Sequence, residues 1–334
     1  MRIGIIGGGS FGTALANLLA ELDHAVTLWF RNPATAQAVA AQRENVEYLP
    51  GFQLSPAIEV THDLQRSVAT KELLLVVTPS HAVREVMSQA APFIKGQPYI
   101  VSAVKGIEEK SLLRMSQVLQ EVLGSTFAGH IAALSGPSFA REVAAGMPTA
   151  VTAAAIDPRT AATVQAVFRG PTFRVYSSTD LIGVELGGTV KNVIAIAAGV
   201  SDGLGLGNSS RAALITRGVA EIARLVVKMG GDAQTVSGLS GVGDMVLTCT
   251  GDLSRNRTIG LRLGRGERLQ EVLQSTRMVA EGVRNSISVY TLARRVGVEM
   301  PITEQIRLMM LEDKAAQQAV GDLMSREAKP EFWS

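Results

Sequence analysis

Residues 2–12 read RIGIIGGGSFG, a short apolar run that ends in a glycine-rich turn. The next segment, TALANLLAEL, has the apolar spacing of a helix, and AVTLWF, which begins at Ala25, has the character of a second buried strand. Together the segments predict a βαβ unit of about 30 residues. Gly7, Gly9 and Gly12 match the dinucleotide-binding fingerprint, in which the glycines allow a tight turn, close approach of a pyrophosphate and packing of helix on strand. This stretch therefore predicts a dinucleotide site at the N-terminus of the first helix.

The end of the second strand, Trp29-Phe30-Arg31-Asn32, bears on which dinucleotide binds. A site that prefers NAD usually has an acidic residue there, bonded to the 2′-hydroxyl of the ribose, and this segment has none. Arg31 is suited instead to a 2′-phosphate, so we expect NADPH to be the favoured cofactor, while NADH remains possible. The alternative is that Arg31 stacks on adenine without discriminating between the two.

Strand and helix patterns alternate along the first half of the chain. The apolar runs ELLLVVTP and IAALSGPSF end in turn residues, and YIVSAV is a further strand. Segments with helical spacing lie between these runs, and AVTAAA and TFRVYSS have the character of closing strands. Such alternation is typical of an α/β protein with a parallel, doubly wound sheet. From Asp180 onward the strand signals stop and long helical segments follow. We therefore predict a dinucleotide-binding domain over residues 1–182 and a mainly α-helical domain over residues 183–334.

Composition and charge exclude several other classes of protein. Of the 334 residues, 46% are hydrophobic and 19% are charged, which suits two folded domains rather than a disordered chain. A net charge of +2 offers no strongly basic surface for nucleic acid. No run reaches the roughly 18 uncharged apolar residues of a membrane span, so membrane insertion is not expected. Four scattered histidines argue against a metal site, and the single cysteine, Cys249, fits a cytoplasmic protein and a small buried apolar position.

Two segments of the second half have residue types that suit catalysis or anion binding. Lys191 follows Gly187-Gly188 and precedes the apolar run NVIAIAA, so it can project into a cleft as a partly desolvated proton donor. The alternative is a lysine that extends along an apolar surface to reach water. Ser254-Arg255-Asn256-Arg257 has donors suited to a phosphate, and its alternative is an exposed basic loop.

Several short sequence motifs occur together in a specific order. They are GxGSFGTALA from Gly7, VKGIEE around Lys105, SGPSFAxE from Ser135, VKNVIAIAAG around Lys191, DMVLTCTxxxSRNR from Asp244 and VAEGVRN from Val279. In this order, over nearly the whole chain, the sequence resembles the bacterial NAD(P)-dependent glycerol-3-phosphate dehydrogenase family. The resemblance implies a Rossmann-like N-terminal domain and a helical C-terminal domain. It also implies a homodimer that reversibly reduces dihydroxyacetone phosphate to sn-glycerol 3-phosphate, the backbone of membrane phospholipids.

The same resemblance assigns roles to individual residues. It implies that Lys191 is the proton donor and acceptor. Beside the glycines of the fingerprint, it assigns to the nicotinamide cofactor Ser10, Phe11, Arg31, Lys105, Ala140, Arg255, Val279 and Glu281. It assigns to the phosphorylated substrate Lys105, Gly136, Ser138, Lys191, Asp244, Ser254, Arg255 and Asn256.

Two other functions remain open from the sequence. One is a related reductase acting on another small substrate, such as a 3-hydroxy acid or a compound like ketopantoate; the phosphate-binding character of residues 254–257 argues against it. The other is a nucleotide-sensing protein without catalysis. A sensor has no need of Lys105, Lys191 and Asp244, and all three are present.

Overall fold

The computed structural model describes residues 1–275 and 281–331, and these residues pack as two compact units. Unit 1 consists of Met1–Val104 and Leu113–Leu181. Unit 2 consists of Lys105–Leu112 together with the described residues of Ile182–Ser334. Lys105 thus follows a strand of unit 1 in the chain but packs with unit 2.

Unit 1 contains all eight strands found in the described residues. The strands are β1 (Arg2–Ile6), β2 (Ala25–Trp29), β3 (Glu59–Thr61), β4 (Leu73–Val76), β5 (Tyr99–Ser102), β6 (Ile131–Ser135), β7 (Thr149–Ala155) and β8 (Phe173–Ser178). The helices of this unit are α1 (Ser10–Glu21), α2 (Pro33–Gln42), α3 (Leu64–Val68), α4 (Val83–Ala90), α5 (Met115–Leu123), α6 (Ala140–Ala144) and α7 (Pro158–Phe168).

The strands form one sheet in the order β3-β2-β1-β4-β5-β6-β7-β8. The predicted doubly wound α/β fold is confirmed, with one departure from the parallel arrangement: β7 runs antiparallel to β6, and β8 pairs parallel with β7. The cause is the short connection between β6 and β7. Its only helix, α6, has five residues and rises about 7.5 Å, less than half the roughly 16 Å length of a five-residue strand. The chain therefore re-enters the sheet in the opposite direction.

Apolar side chains are buried on both faces of the sheet. Leu73 and Leu75 belong to a cluster that includes side chains of α1 and α7. Leu74 and Val76 belong to a second cluster, with side chains of α4 and α5. This alternation with a period of two explains why the strands appear in the sequence as continuous apolar runs, since a sheet covered on both faces buries every position.

The described residues of unit 2 are mainly α-helical, and the Lys105–Leu112 segment contains no helix. The helices of unit 2 are α8 (Leu181–Gly203), α9 (Gly207–Lys228), α10 (Ala233–Val236), α11 (Asp244–Thr250), α12 (Arg255–Gly264), α13 (Leu269–Gln274), α14 (Glu281–Val296), α15 (Pro301–Leu311) and α16 (Ala316–Met324). By length and composition α8 could cross a membrane, but 94% of its most apolar window is buried within the protein. It is the central helix of the apolar core of this unit.

Glycines on both sides allow α12 to cross α8 closely. A Cβ atom at Gly260 would lie 2.0 Å from the carbonyl oxygen of Ile196, and one at Gly199 would lie 2.0 Å from that of Arg257. No side chain fits at either distance. The crossing brings the N-terminus of α12 beside the middle of α8, where Lys191 is located.

We predict that Gly260→Ala lowers the free energy of unfolding by about 1–3 kcal/mol, the usual cost of overpacking a close contact. Gly321→Ala in α16 is the matched control, because a Cβ atom there meets nothing within 4 Å and should add about 0.4–1 kcal/mol through the unfolded state. Urea unfolding of both variants measures the difference. If the two substitutions changed the free energy of unfolding by the same small amount, the contact between α8 and α12 would be able to adjust to a side chain without loss of stability.

Candidate active site

The turn after β1 has the geometry that the glycine fingerprint predicts. Gly7 has φ of +127°, in the region that favours glycine, and a Cβ atom at Gly12 would lie 1.9 Å from the carbonyl oxygen of Gly7. At Gly9, by contrast, a Cβ atom would meet nothing within 4 Å. The backbone is thus tightly packed against the sheet and open at Gly9. This is the arrangement that close approach of a pyrophosphate requires.

Gly9 is also the N-cap of α1 and brings no side chain to cover the helix N-terminus. The hydroxyl of Ser10 donates to the carbonyl oxygen of Tyr48 at 2.6 Å, and the partly buried Phe11 packs against the core of unit 1. Both side chains therefore fasten the first turn of the helix. These residues fit a dinucleotide whose phosphates lie at the N-terminus of α1.

Arg31 extends from the end of β2 into solvent. Its side chain is 72% exposed, and Nη2 lies 3.8 Å from Oε1 of Glu85 on α4. An exposed pair at this distance contributes little to stability. Arg31 is therefore available to a phosphate, with Glu85 as a competing partner.

We expect Arg31→Ala to weaken NADPH binding by about tenfold or more and NADH binding much less, because a lost charge-assisted hydrogen bond costs about 1.5–3 kcal/mol and NADH has no 2′-phosphate. Glu85→Gln should instead strengthen NADPH binding, since it removes a negative charge beside Arg31. Titration of each variant with both nucleotides measures the change. Equal losses with both cofactors in Arg31→Ala would mean that Arg31 only packs on the adenine.

The SGPSF segment after β6 lies in unit 1. Gly136 has φ of +148°, and a Cβ atom there would lie 2.8 Å from the Cα atom of Val151. The hydroxyl of Ser138 donates to the carbonyl oxygen of Gly136 at 3.0 Å, and Ala140 begins α6. The sequence therefore encodes a tight, internally bonded turn at this place.

Unit 2 contains a cluster of two lysines and one aspartate, in which Lys191 and Asp244 are buried and Lys105 is half-buried. Nζ of Lys191, from the middle of α8, lies 2.7 Å from Oδ1 of Asp244, the first residue of α11. Nζ of Lys105 lies 2.6 Å from Oδ2 of the same carboxylate. Lys191 also donates to Oγ1 of Thr248 at 2.6 Å. The structure thus brings Lys105, Lys191 and Asp244 together, and the carboxylate orients both ammonium groups.

Burial and charge act in opposite directions on the cluster. Burial and the charge of Lys105 lower the pKa of Lys191 while Asp244 acts to raise it, and burial prevails, so that the pKa is about 8. Burial acts to raise the pKa of Asp244, but the two lysines outweigh it and hold that pKa below its usual range. A lysine with a pKa of about 8 has the proton affinity that suits a general acid and base.

A close approach between α8 and the turn before α11 positions Asp244. A Cβ atom at Gly187 would lie 2.9 Å from the carbonyl oxygen of Ser240, so only glycine lets this turn lie against the helix. Lys191 stands one helical turn beyond Gly187 and on the same face, because positions four apart are neighbours on a helix. Gly187 therefore allows the carboxylate partner of Lys191 to come within reach.

The N-terminus of α12 forms the second part of the site in unit 2. Ser254 is the N-cap and accepts from the N–H of Arg257 at 3.2 Å. The amide of Asn256 donates to Oδ1 of Asn192 at 2.9 Å and accepts from the N–H of Gly282 at 3.0 Å. These bonds join α12 to the residue after Lys191 and to the start of α14. A helix N-terminus with an arginine at its first position, Arg255, suits a phosphate.

The two arginines of this segment differ in their surroundings. Arg257 pairs with Asp202 and Asp252 at 2.8 and 3.0 Å, so its charge is already compensated. Arg255 is exposed and lies close enough to Glu281 to interact with it electrostatically. Val279, which the resemblance assigns to the cofactor, lies outside the described residues.

Both halves of the sequence match a known family. Residues 2–161 match the family model described as NAD-dependent glycerol-3-phosphate dehydrogenase N-terminus, and residues 180–321 match the one described as the C-terminus of the same enzyme. The chain belongs to the NAD-dependent glycerol-3-phosphate dehydrogenase family. The family resemblance inferred from the sequence is thereby confirmed.

Relatives of the glycerol-3-phosphate dehydrogenase family match over nearly the full length. Glycerol-3-phosphate dehydrogenase [NAD(P)+] of Geobacter sulfurreducens is 54% identical over 332 residues, which cover 99% of each chain. The protein of the same name from Myxococcus xanthus is 49% identical, again over 99% of each chain. The crystal structure of glycerol-3-phosphate dehydrogenase from Coxiella burnetii is 41% identical, with a TM-score of 0.92 and coverage of 97% of this chain and 99% of that one.

The sequence interpretation missed two polar residues of the candidate site in this member of the glycerol-3-phosphate dehydrogenase family. Thr248 accepts from Lys191 and donates to the carbonyl oxygen of Asp244 at 2.6 Å. Asn192 anchors Asn256. The spacing of Asp244 and Thr248, four residues apart, could have placed both on one face of a helix. Nothing in the sequence pairs Asn192 with Asn256.

Cys249 is fully buried beside the cluster, as predicted. Burial raises the pKa of its thiol to about 12, so the thiol stays protonated at neutral pH and is a poor nucleophile. In the part of the chain that the structure describes, no three histidine, cysteine or acidic side chains are grouped so that they could hold a metal ion.

Proposed function

We propose that this member of the glycerol-3-phosphate dehydrogenase family reversibly reduces dihydroxyacetone phosphate to sn-glycerol 3-phosphate, with NADPH favoured over NADH. Residues 1–182 form the dinucleotide-binding domain and residues 183–334 the catalytic domain. The glycine turn, Ser10 and Arg31 hold the dinucleotide. When bound, the reduced nicotinamide supplies a hydride to the substrate.

Lys191 is the proton donor in this proposal. Reduction of the substrate carbonyl develops negative charge on its oxygen, and a desolvated ammonium stabilises that charge and donates the proton. In the oxidation direction the neutral amine of Lys191 removes the proton from the alcohol. Lys105 adds a second positive charge, while Asp244 orients both Nζ atoms.

The phosphate of the substrate binds the segment that begins α12. Arg255 supplies the charge, and Ser254 and Asn256 shape the helix N-terminus around the anion. Gly136 and Ser138 contribute further polar groups to the substrate. Binding energy from the phosphate, which does not react, holds the carbonyl in place for the reaction.

One observation carries this proposal above all: two lysine ammonium groups share a single buried carboxylate in a chain of this family. Burying the charges of Lys191 and Asp244 is costly unless they serve a purpose, and a buried lysine with a lowered pKa beside a charged partner is typical of catalytic sites. A protein that only sensed nucleotides would gain nothing from the cluster.

The setting of the enzyme is part of the same proposal. We expect a cytoplasmic homodimer, not inserted in the membrane, whose product supplies the backbone of glycerophospholipids. The family relationship supports this setting.

Absorbance at the nicotinamide band, followed with the purified full-length chain, tests the proposed reaction. We expect the chain to reduce dihydroxyacetone phosphate. At equal low concentrations of cofactor, the rate with NADPH should exceed the rate with NADH. Ketopantoate and a 3-hydroxy acid, offered with the matching redox form of each cofactor, should not react. Turnover of one of these acids in place of dihydroxyacetone phosphate would contradict the proposal. Nucleotide binding with no turnover of any substrate would favour the sensor instead.

A further inference from the structure

Asn285, the last residue of the VAEGVRN segment, joins the backbones that hold the two lysines. It lies in the second turn of α14 and is fully buried. Its Nδ2 donates to the carbonyl oxygen of Lys105 at 2.9 Å and to that of Thr189, two residues before Lys191, at 3.3 Å. Both of these bonds end on main-chain carbonyl oxygens, so Asn285 acts on the reaction through the backbones that carry the lysines.

The neighbours of Asn285 fix the orientation of its amide. The opposite orientation would place Oδ1 against two carbonyl oxygens, and neither can donate a hydrogen bond. In the observed orientation Oδ1 accepts no hydrogen bond from any residue that the structure describes. A buried acceptor without a partner is destabilising and calls for an explanation. The two hydrogen bonds that Nδ2 donates explain why Oδ1 is left in this position.

Asn285 forms a buried polar link between α14 and the segment that contains Lys105. A second link exists, because Arg284 pairs with Glu109 at 2.8 Å, but both side chains are more than 40% exposed. Solvent screens such a pair, so it restrains the segment weakly. Ile107 anchors the same segment in the apolar core, and Asn285 adds the buried hydrogen bonds that tie the Lys105 carbonyl to the side chain lying against α8.

We infer that Asn285 is a positioning residue for the proposed reaction: by holding the Lys105 carbonyl against α8, it keeps the Lys105 ammonium on Asp244 beside Lys191. The inference rests on the function proposed above. Lys191 faces Asp244, Thr248 and Cys249 from α11 and Lys105 from the 105–112 segment. Among these groups Lys105 is the one with the same charge as Lys191. If the Lys105 ammonium leaves Asp244, both the proton affinity of Lys191 and the orientation of the Asp244 carboxylate change.

Asn285→Ala tests the inference with two readouts. The first is the pKa of Lys191, followed by NMR of 13C-labelled lysine and assigned with Lys191→Met; we expect it to rise, since Lys105 normally lowers it. The second is kcat, which should fall by about 10- to 100-fold through misplacement of a catalytic group. Ser288→Ala is the matched control, because Ser288 is buried on the same helix and donates to the helix's own backbone, at Arg284. It should change neither readout.

A double-variant cycle shows whether Asn285 acts through Lys105. In a Lys105→Met background, Asn285→Ala should leave the pKa of Lys191 almost unchanged. A merely structural role predicts a lower Tm with unchanged pKa and kcat in the folded variant, and that result would overturn the inference. If Asn285→Ala does not fold, Asn285→Leu removes the donors with little change in volume and gives the same readouts.

The first readout does not depend on turnover, so the two proposals can fail separately. If the wild-type chain does not reduce dihydroxyacetone phosphate but the pKa of Lys191 rises in Asn285→Ala, the proposed reaction is wrong and the coupling of Asn285 to the lysines is supported. If the wild-type chain turns over and Asn285→Ala changes neither readout, the inference alone is wrong.

Discussion

Replacing Lys191 with methionine is expected to lower kcat for dihydroxyacetone phosphate reduction by at least about 100-fold, within the usual 10²- to 10⁴-fold contribution of general acid–base catalysis. Methionine fills a similar volume in the buried middle of α8 but has no proton to donate and no charge to place on the substrate oxygen. It also leaves Asp244 paired with Lys105 alone. Affinity for NADPH should change little, because the residues proposed to hold the dinucleotide are in the glycine turn.

Lys314→Met is the matched control for this experiment. Lys314 is also in unit 2, its side chain is 13% exposed, and it pairs with Asp322 outside the cluster. Loss of this lysine should leave kcat near the wild-type value. If Lys191→Met, folded by its circular dichroism, also retained near-wild-type kcat, Lys191 would not be the proton donor.

Arg255→Leu is expected to lower kcat/KM for dihydroxyacetone phosphate by at least about 100-fold. A charged hydrogen-bond partner contributes about 1.5–3 kcal/mol, or roughly 10- to 150-fold, and misplacement of the carbonyl adds to the loss. Dihydroxyacetone has no phosphate, so its already slow turnover should change much less. Initial rates with both substrates measure the difference.

The neighbouring arginine provides the control for Arg255. Arg257→Leu breaks ion pairs with Asp202 and Asp252, so it should lower stability without distinguishing between the two substrates. If Arg255→Leu lowered the rates with both substrates by the same factor, Arg255 would not bind the phosphate.

The sequence was sufficient to predict the glycine-rich turn after β1. It was also sufficient to predict the change from alternating strands and helices to helices alone after about residue 180. Gly7 to Gly12 follow an apolar strand directly, so their roles depend on local geometry that the fingerprint already encodes. The antiparallel direction of β7 was not predicted, because alternating strands and helices favour parallel pairing and the shortness of α6 is visible only in the structure. β3, with three residues, is too short to show a period.

The sequence was enough to predict which residues belong to the candidate site, but not which of them contact one another. Lys191 is conspicuous because a lysine rarely lies in an apolar helix. That Lys105 shares Asp244 with Lys191 depends on contacts between residues 139 and 53 positions apart in sequence. The roles of Thr248 and Asn285 depend likewise on where neighbouring backbones lie, and no local pattern contains that information.

The pH dependence of both directions of the reaction tests most directly the claim that Lys191 transfers the proton. Reduction needs the protonated amine and oxidation needs the neutral one, and burial places the pKa of Lys191 at about 8. Initial kcat for dihydroxyacetone phosphate reduction should therefore fall as the pH rises through about 8, while kcat for glycerol 3-phosphate oxidation should rise over the same range. Both changes should disappear in Lys191→Met. If the two directions changed in the same sense, or if both changes persisted in Lys191→Met, the assignment of the proton to Lys191 would be wrong.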